Sequence, residues 1–247
     1  MEKNPDMQVI GKGEFLTFLE SEAKLRIDDF IAGAIEVAEE IHSGVRREDE
    51  TSPFLETHIW PVTIDVIKHY RSVNRHITSV EVASAILHDV LEDNDRILDL
   101  YQTKAYGFEA YLKYRFGNKI YKIATELKIR PLENYPGTTE EECQLHRFQH
   151  YCDILVAAEY DVKTIKLADR LNNMKFINGL AKLNIATKLV QEKVKRYLRE
   201  AEDFYLAYTL LVPKMPDYYV RLRLAFDELR SAYDEYNLAK RKSLNKV

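Results

Sequence analysis

The stretch Ala83-Ser-Ala-Ile-Leu-His88-Asp89-Val-Leu-Glu92-Asp93 places a His-Asp pair inside an apolar run and follows it with two further carboxylates. Thr78 and Glu81, just upstream, form the pattern of a capping box, so a helix is expected to begin there and to carry His88. Residues four apart share a helix face, which would set His88 beside Glu92 and Asp89 beside Asp93. Like charges at that spacing repel, and a divalent cation would relieve the repulsion. The same segment therefore suggests both an amphipathic helix and a metal site.

Helical periodicity continues outward in both directions. Ile27, Phe30, Ile31, Ala34, Val37, Ala38 and Ile41 recur at i, i+3, i+4 and i+7, ending at His42-Ser-Gly44, where glycine suits a left-handed cap. A polar loop, Val45 to Pro53, leads to His58 and a helix from about Pro61. Helical patterns follow over roughly Ile97 to Phe116 and Lys119 to Ile129. Arg130-Pro-Leu-Glu-Asn-Tyr-Pro-Gly137 is the clearest break. Beyond it, helices are expected from about Thr139 to Tyr160, from near Val162, over about Ile185 to Leu211, and from Asp217 to about Leu238, with a solvated tail from Lys240. With only 8 glycines and 7 prolines, and with no repeat or series of alternating strands, the reading is all-α. The domain expectation is an N-terminal segment over 1–25, a main helical domain over 26–200, and a C-terminal helical extension over 201–247 packed on that domain.

Composition narrows the function classes. A net charge of −4 argues against a general DNA or RNA polymer partner, although a local basic pocket could still receive a small anion. The N-terminus lacks the apolar segment of a leader, and no run approaches membrane-spanning length; a cytoplasmic protein without a membrane partner is expected. Cys143 and Cys152 read as thiols rather than a disulfide framework. Oligomerisation is left open.

The ligand candidates come from three separated segments. Asp169 lies among Ile165, Leu167, Ala168 and Leu171, where an ionised carboxylate is costly without a partner. His58 stands at a loop-to-helix entry. Two imidazoles and two carboxylates suit Mn²⁺, Fe²⁺ or Zn²⁺ better than a thiolate-bound ion. Glu142, His146 and His150 are also spaced by four on one helix, but no general base accompanies them, and they read as a polar face.

In order, His58, His88-Asp89 and Asp169 resemble the H…HD…D pattern of HD-type metal phosphohydrolases. Leu87-His-Asp-Val-Leu-Glu-Asp93 is similar to the LHDVVED segment of RelA/SpoT-type alarmone hydrolases, and Lys166-Leu-Ala-Asp-Arg-Leu-Asn-Asn-Met174 differs from their KLADRLHNM at one position. His42-x-Gly44-x-x-Arg47, followed by Pro53-Phe54 and His58, looks like their HxGxxR…PY…H segment. The resemblance covers roughly residues 26 to 180.

It implies a compact HD-domain helical bundle acting as a stand-alone (p)ppGpp 3′-pyrophosphohydrolase, which would leave GDP or GTP. His58, His88, Asp89 and Asp169 would hold Mn²⁺, and Glu92 and Asp93 would position and activate water. Arg47 and Asn173 would contact the nucleotide, and Lys193 is a further phosphate-contact candidate. The region beyond the resemblance reads as two helices, too little for the family's synthetase domain. Glu48, Asn172 and Phe176 depart from the family pattern, which bears on the substrate more than on the metal. Alternatives are therefore another 3′-phosphorylated nucleotide as substrate, or a nucleotide-binding regulator without turnover.

Overall fold

The computed structural model describes residues 7–92, 107–184 and 187–244. Every extended element among them is a helix, apart from an isolated antiparallel bridge between Arg46 and Pro53, so the protein is all-α. The chain forms two compact units, one of Val9–Ala168 and one of the described residues in Met1–Gln8 and Asp169–Val247.

In the first unit, α1 (Lys12–Thr17) widens into a π turn, Phe18–Glu22. Helix α2 (Asp29–His42) starts where the Asp28 side chain accepts from the Phe30 and Ile31 N–H groups, both at 3.1 Å. That bond satisfies donors that the first helical turn leaves exposed. A second π turn, Leu55–Ile59, runs directly into α3 (Trp60–Ser72), and the Trp60 ring stacks on Phe15 at 4.6 Å. Helix α4 (Ser79–Ile86) begins at the expected capping box and packs against α2 and α3. Ile31, Ala34 and Ala38 of α2, Ile67 of α3, and Val82, Ala83 and Ile86 of α4 are all fully buried.

Helix α5 (Gly107–Leu127) is two helical pieces joined at Gly117, whose φ of 81° and ψ of 174° are not helical. The patterns expected over Ile97 to Phe116 and Lys119 to Ile129 meet at this glycine, and residues 93–106 lie outside the described part of the chain. A second capping box, Thr139 with Glu142, opens α6 (Glu140–Ala157). Helix α7 (Tyr160–Asn184) follows, and the boundary between the units falls within it.

The second unit continues with α8 (Lys188–Glu200), a π turn over Ala201–Tyr205, α9 (Leu206–Leu211) and α10 (Pro216–Leu244). One amphipathic stretch was expected over Ile185 to Leu211; the described part is segmented by the π turn. Val190, Val194 and Leu198, four apart on α8, are buried. Pro216 opens α10, a position where its missing N–H costs nothing. That helix runs through Lys240 to Leu244 rather than ending near Leu238: no breaker intervenes, and Arg241 and Lys242 complement the negative end of the helix dipole. No described helix is long and apolar enough to cross a membrane.

Candidate metal centre

The expectation that α4 carries His88 is corrected: α4 ends at Ile86, and residues 87–92 form turns. Leu87 leaves the helical region at φ −95° and ψ 10°. The physical cause lies in the histidine itself. In a continued helix the Ala85 carbonyl would accept from the Asp89 N–H; here it accepts from His88 Nδ1 at 2.8 Å. The backbone then closes tighter bonds, Val90 N–H to Leu87 O at 3.3 Å and Glu92 N–H to Asp89 O at 3.0 Å.

This turn brings His88 to His58, which stands on the π turn ahead of α3. π turns inside helices recur at functional sites because the extra residue re-aims side chains. The two Nε2 atoms are 3.1 Å apart, and Asp89 Oδ2 lies 2.9 Å from His58 Nε2 and 3.3 Å from His88 Nε2. Both imidazoles are about 2% exposed. Phe54 packs its ring between His42 and His58, with centroids 4.9 Å from each.

The donor set fits a borderline divalent cation. His88 gives its Nδ1 proton to Ala85, so Nε2 carries the lone pair in the neutral ring. That lone pair meets the second Nε2 and a carboxylate oxygen in a buried space, an arrangement stabilised by a shared proton or by a cation. When His88 carries a second proton, on Nε2, its charge and the hydrogen bonds from His58 and His88 outweigh the effect of burial and hold the Asp89 carboxyl well below the usual carboxylate range. Asp169, on α7, is 3% exposed. Within α7, the Asn173 amide donates to Asp169 Oδ1.

Other expected site residues sit as follows. Glu92 is exposed, and its Oε1 accepts from the Ile129 N–H at 3.1 Å. Its predicted place on a shared helix face with His88 therefore gives way to a turn anchored on the end of α5. Asp93 lies outside the described residues. Arg47 is buried on the loop after α2, with Nη1 3.5 Å from the Thr57 carbonyl and Nε 3.9 Å from Glu48. The bridge from Arg46 to Pro53 makes this stretch locally extended, so consecutive side chains alternate: Arg46 is exposed and Arg47 turns inward. Lys193 is half-buried on α8.

Glu142 closes its capping box, His146 Nδ1 donates to the Pro136 carbonyl at 2.5 Å, and His150 Nδ1 lies 3.3 Å from the Tyr135 hydroxyl. These local partners agree with the reading of a polar face. Both cysteines are free thiols.

An all-α protein in which two buried histidines and an aspartate converge in this way has a candidate metal-binding site. No family model matches the sequence. The chain is similar to a protein of Synechocystis sp. described as a probable guanosine-3′,5′-bis(diphosphate) 3′-pyrophosphohydrolase, with 28% identity over 126 residues. The matched stretch is 50% of this chain and 13% of that relative.

Proposed function

We propose that the protein is a metal-dependent phosphohydrolase that removes the 3′-pyrophosphate of (p)ppGpp, leaving GDP or GTP. The convergence of His58 Nε2, His88 Nε2 and Asp89 Oδ2 supports this most directly, because it supplies ligands for a cation beside a histidine whose tautomer is set. The similarity to the Synechocystis protein supports the choice of nucleotide.

In this reading His58, His88, Asp89 and Asp169 hold one divalent ion, Mn²⁺ by preference, with Fe²⁺ or Zn²⁺ also suited to imidazole and carboxylate ligands. Bound there, such an ion supplies Lewis acidity, making water more acidic and offsetting charge on phosphoryl oxygens. Glu92 and Asp93 orient the attacking water and accept its proton. The Ile129 N–H bond steadies Glu92 for that task. Water adds across the bond between the ribose 3′ oxygen and the diphosphate; a 3′ hydroxyl and pyrophosphate result. Arg47, Asn173 and Lys193 engage the nucleotide, with guanidinium and ammonium groups balancing a polyanion.

Glu48 favours a second reading. Its carboxylate is 3.9 Å from Arg47 Nε and offsets part of the charge offered to a nucleotide. A different 3′-phosphorylated nucleotide would then be the better substrate, with the metal chemistry unchanged.

The test is product analysis after incubation of the purified protein with ppGpp and Mn²⁺, beside chelated and Asp169→Ala controls. Catalytic release of GDP and pyrophosphate, absent from both controls, is expected. Failure to turn over ppGpp alongside rapid turnover of another 3′-phosphorylated nucleotide establishes the second reading. Nucleotide binding without Mn²⁺-dependent release of product points instead to a regulator.

A further inference from the structure

Asn173 stands one helical turn beyond Asp169 on α7, and its side-chain amide donates to Asp169 Oδ1. We propose that Asn173 is a positioning residue for the cation site, acting through the Asp169 carboxylate; this rests on the reading of Asp169 as a ligand. An aspartate side chain has a broad rotation about its last torsion, so a buried carboxylate must be oriented before it can serve as a ligand. Side chains at i and i+4 meet on a helix surface, and a glutamine or asparagine amide beside an aspartate is a favourable pair at that spacing. The donor is neutral, so it fixes the carboxylate plane without cancelling the negative charge a cation requires.

The neighbouring cation is committed elsewhere. Arg170 Nη1 lies 2.6 Å from Glu200 Oε2, and its guanidinium packs against the rings of Tyr197 and Tyr205 at 4.8 and 4.5 Å. That arrangement keeps a competing positive charge occupied one residue away from Asp169. Hydrogen-bond partners of metal ligands affect affinity by roughly 10- to 100-fold when removed. An amide carries both donors and an acceptor, so holding Asp169 is compatible with a nucleotide contact by the same side chain.

The test compares Mn²⁺ affinity of the substrate-free protein, followed by the paramagnetic resonance signal of free Mn²⁺, in wild type, Asn173→Leu and Asn173→Gln. Leucine approximates the shape of asparagine and lacks the donor; glutamine keeps an amide at the same spacing. Expected is a loss of about tenfold or more in Asn173→Leu, with Asn173→Gln recovering most of it. Affinity unchanged in Asn173→Leu, or lowered equally in both variants, overturns the inference while leaving the centre intact. Absence of Mn²⁺ binding by the wild type overturns the metal centre and this role with it. Helical circular dichroism confirms that each variant is folded.

Discussion

At His88, Nδ1 donates to the Ala85 carbonyl at 2.8 Å while Nε2 faces His58 and Asp89. One nitrogen thus orients the ring and the other is presented to the centre. The His-Asp pair, and its likeness to a metal-binding pattern, are visible in the amino-acid order. The ring's orientation is not, because it depends on a backbone carbonyl that any residue at position 85 would supply. The same holds for Glu92, whose bond to the Ile129 N–H joins positions far apart in the chain. On the proposed ligand assignment, replacing His88 with alanine is expected to lower Mn²⁺ affinity by more than the roughly 100-fold reached on losing an outer partner. Helix content should be retained. Metal content measured on the purified variant checks this, and an unchanged value would remove His88 from the ligand set.

The start of α4 was readable because side chains themselves make its cap. Thr78 with Glu81 forms the expected capping box, and the helix expected from about Thr139 opens at a second box, Thr139 with Glu142. Interruptions caused by backbone geometry were harder to read. The π turn carrying His58 and the one between α8 and α9 contain no proline or glycine to announce them. Gly117 is the informative exception, standing at the junction of two helical patterns. Its φ of 81° and ψ of 174° belong to a region open essentially to glycine alone. Apart from its neighbours along the chain, no described residue puts an atom within 4 Å of where a Cβ would be, so the penalty for a side chain is conformational rather than steric crowding. Gly117→Ala is expected to destabilise the protein by about 1–3 kcal/mol, read as a lower urea midpoint. A midpoint at or above wild type would contradict this backbone geometry.

Across the first unit, a polar network ties α3, α4, α5 and α7 together. Lys119 Nζ is 2.6 Å from Glu81 Oε1 and 2.9 Å from Asp161 Oδ2, and the Tyr70 hydroxyl donates to Asp161. Glu81 also accepts from the Thr78 N–H at 2.8 Å, so one carboxylate both caps α4 and receives the lysine of α5. Burial would raise the Glu81 pKa, but the bonds from Lys119 and Thr78 outweigh it and hold the group below its ordinary value. A depressed carboxylate contributes stability that is present above its unfolded pKa of about 4.3 and is lost as pH falls through the folded value. Lys119 is raised by Glu81 and Asp161 against the effect of burial. Its contribution is present below about 10.4 and is lost as pH rises through the folded value.

A hydrogen bond to a charged group contributes about 1.5–3 kcal/mol, and the half-exposed lysine places this one at the lower end. Glu81→Gln is therefore expected to cost about 1.5 kcal/mol at pH 7. Urea unfolding at a series of pH values should show that difference shrinking as pH falls below about 4.3. A deficit that stays constant into acid would assign the loss to packing instead of charge.

The amino-acid order alone determined the all-α class, the capping box of α4, the break at residues 130–137 and the residue types of the candidate centre. These are local properties: periodicity, caps and turn chemistry act within a few positions of one another. Tertiary structure decided where α4 stops, which arginine of the Arg46-Arg47 pair turns inward, and that Glu81 serves both a helix cap and a distant lysine. It also brought His58 from a π turn against His88 from a tight turn. Each of these depends on a partner remote in the chain or on a backbone group common to all residues, and neither leaves a distinctive local pattern.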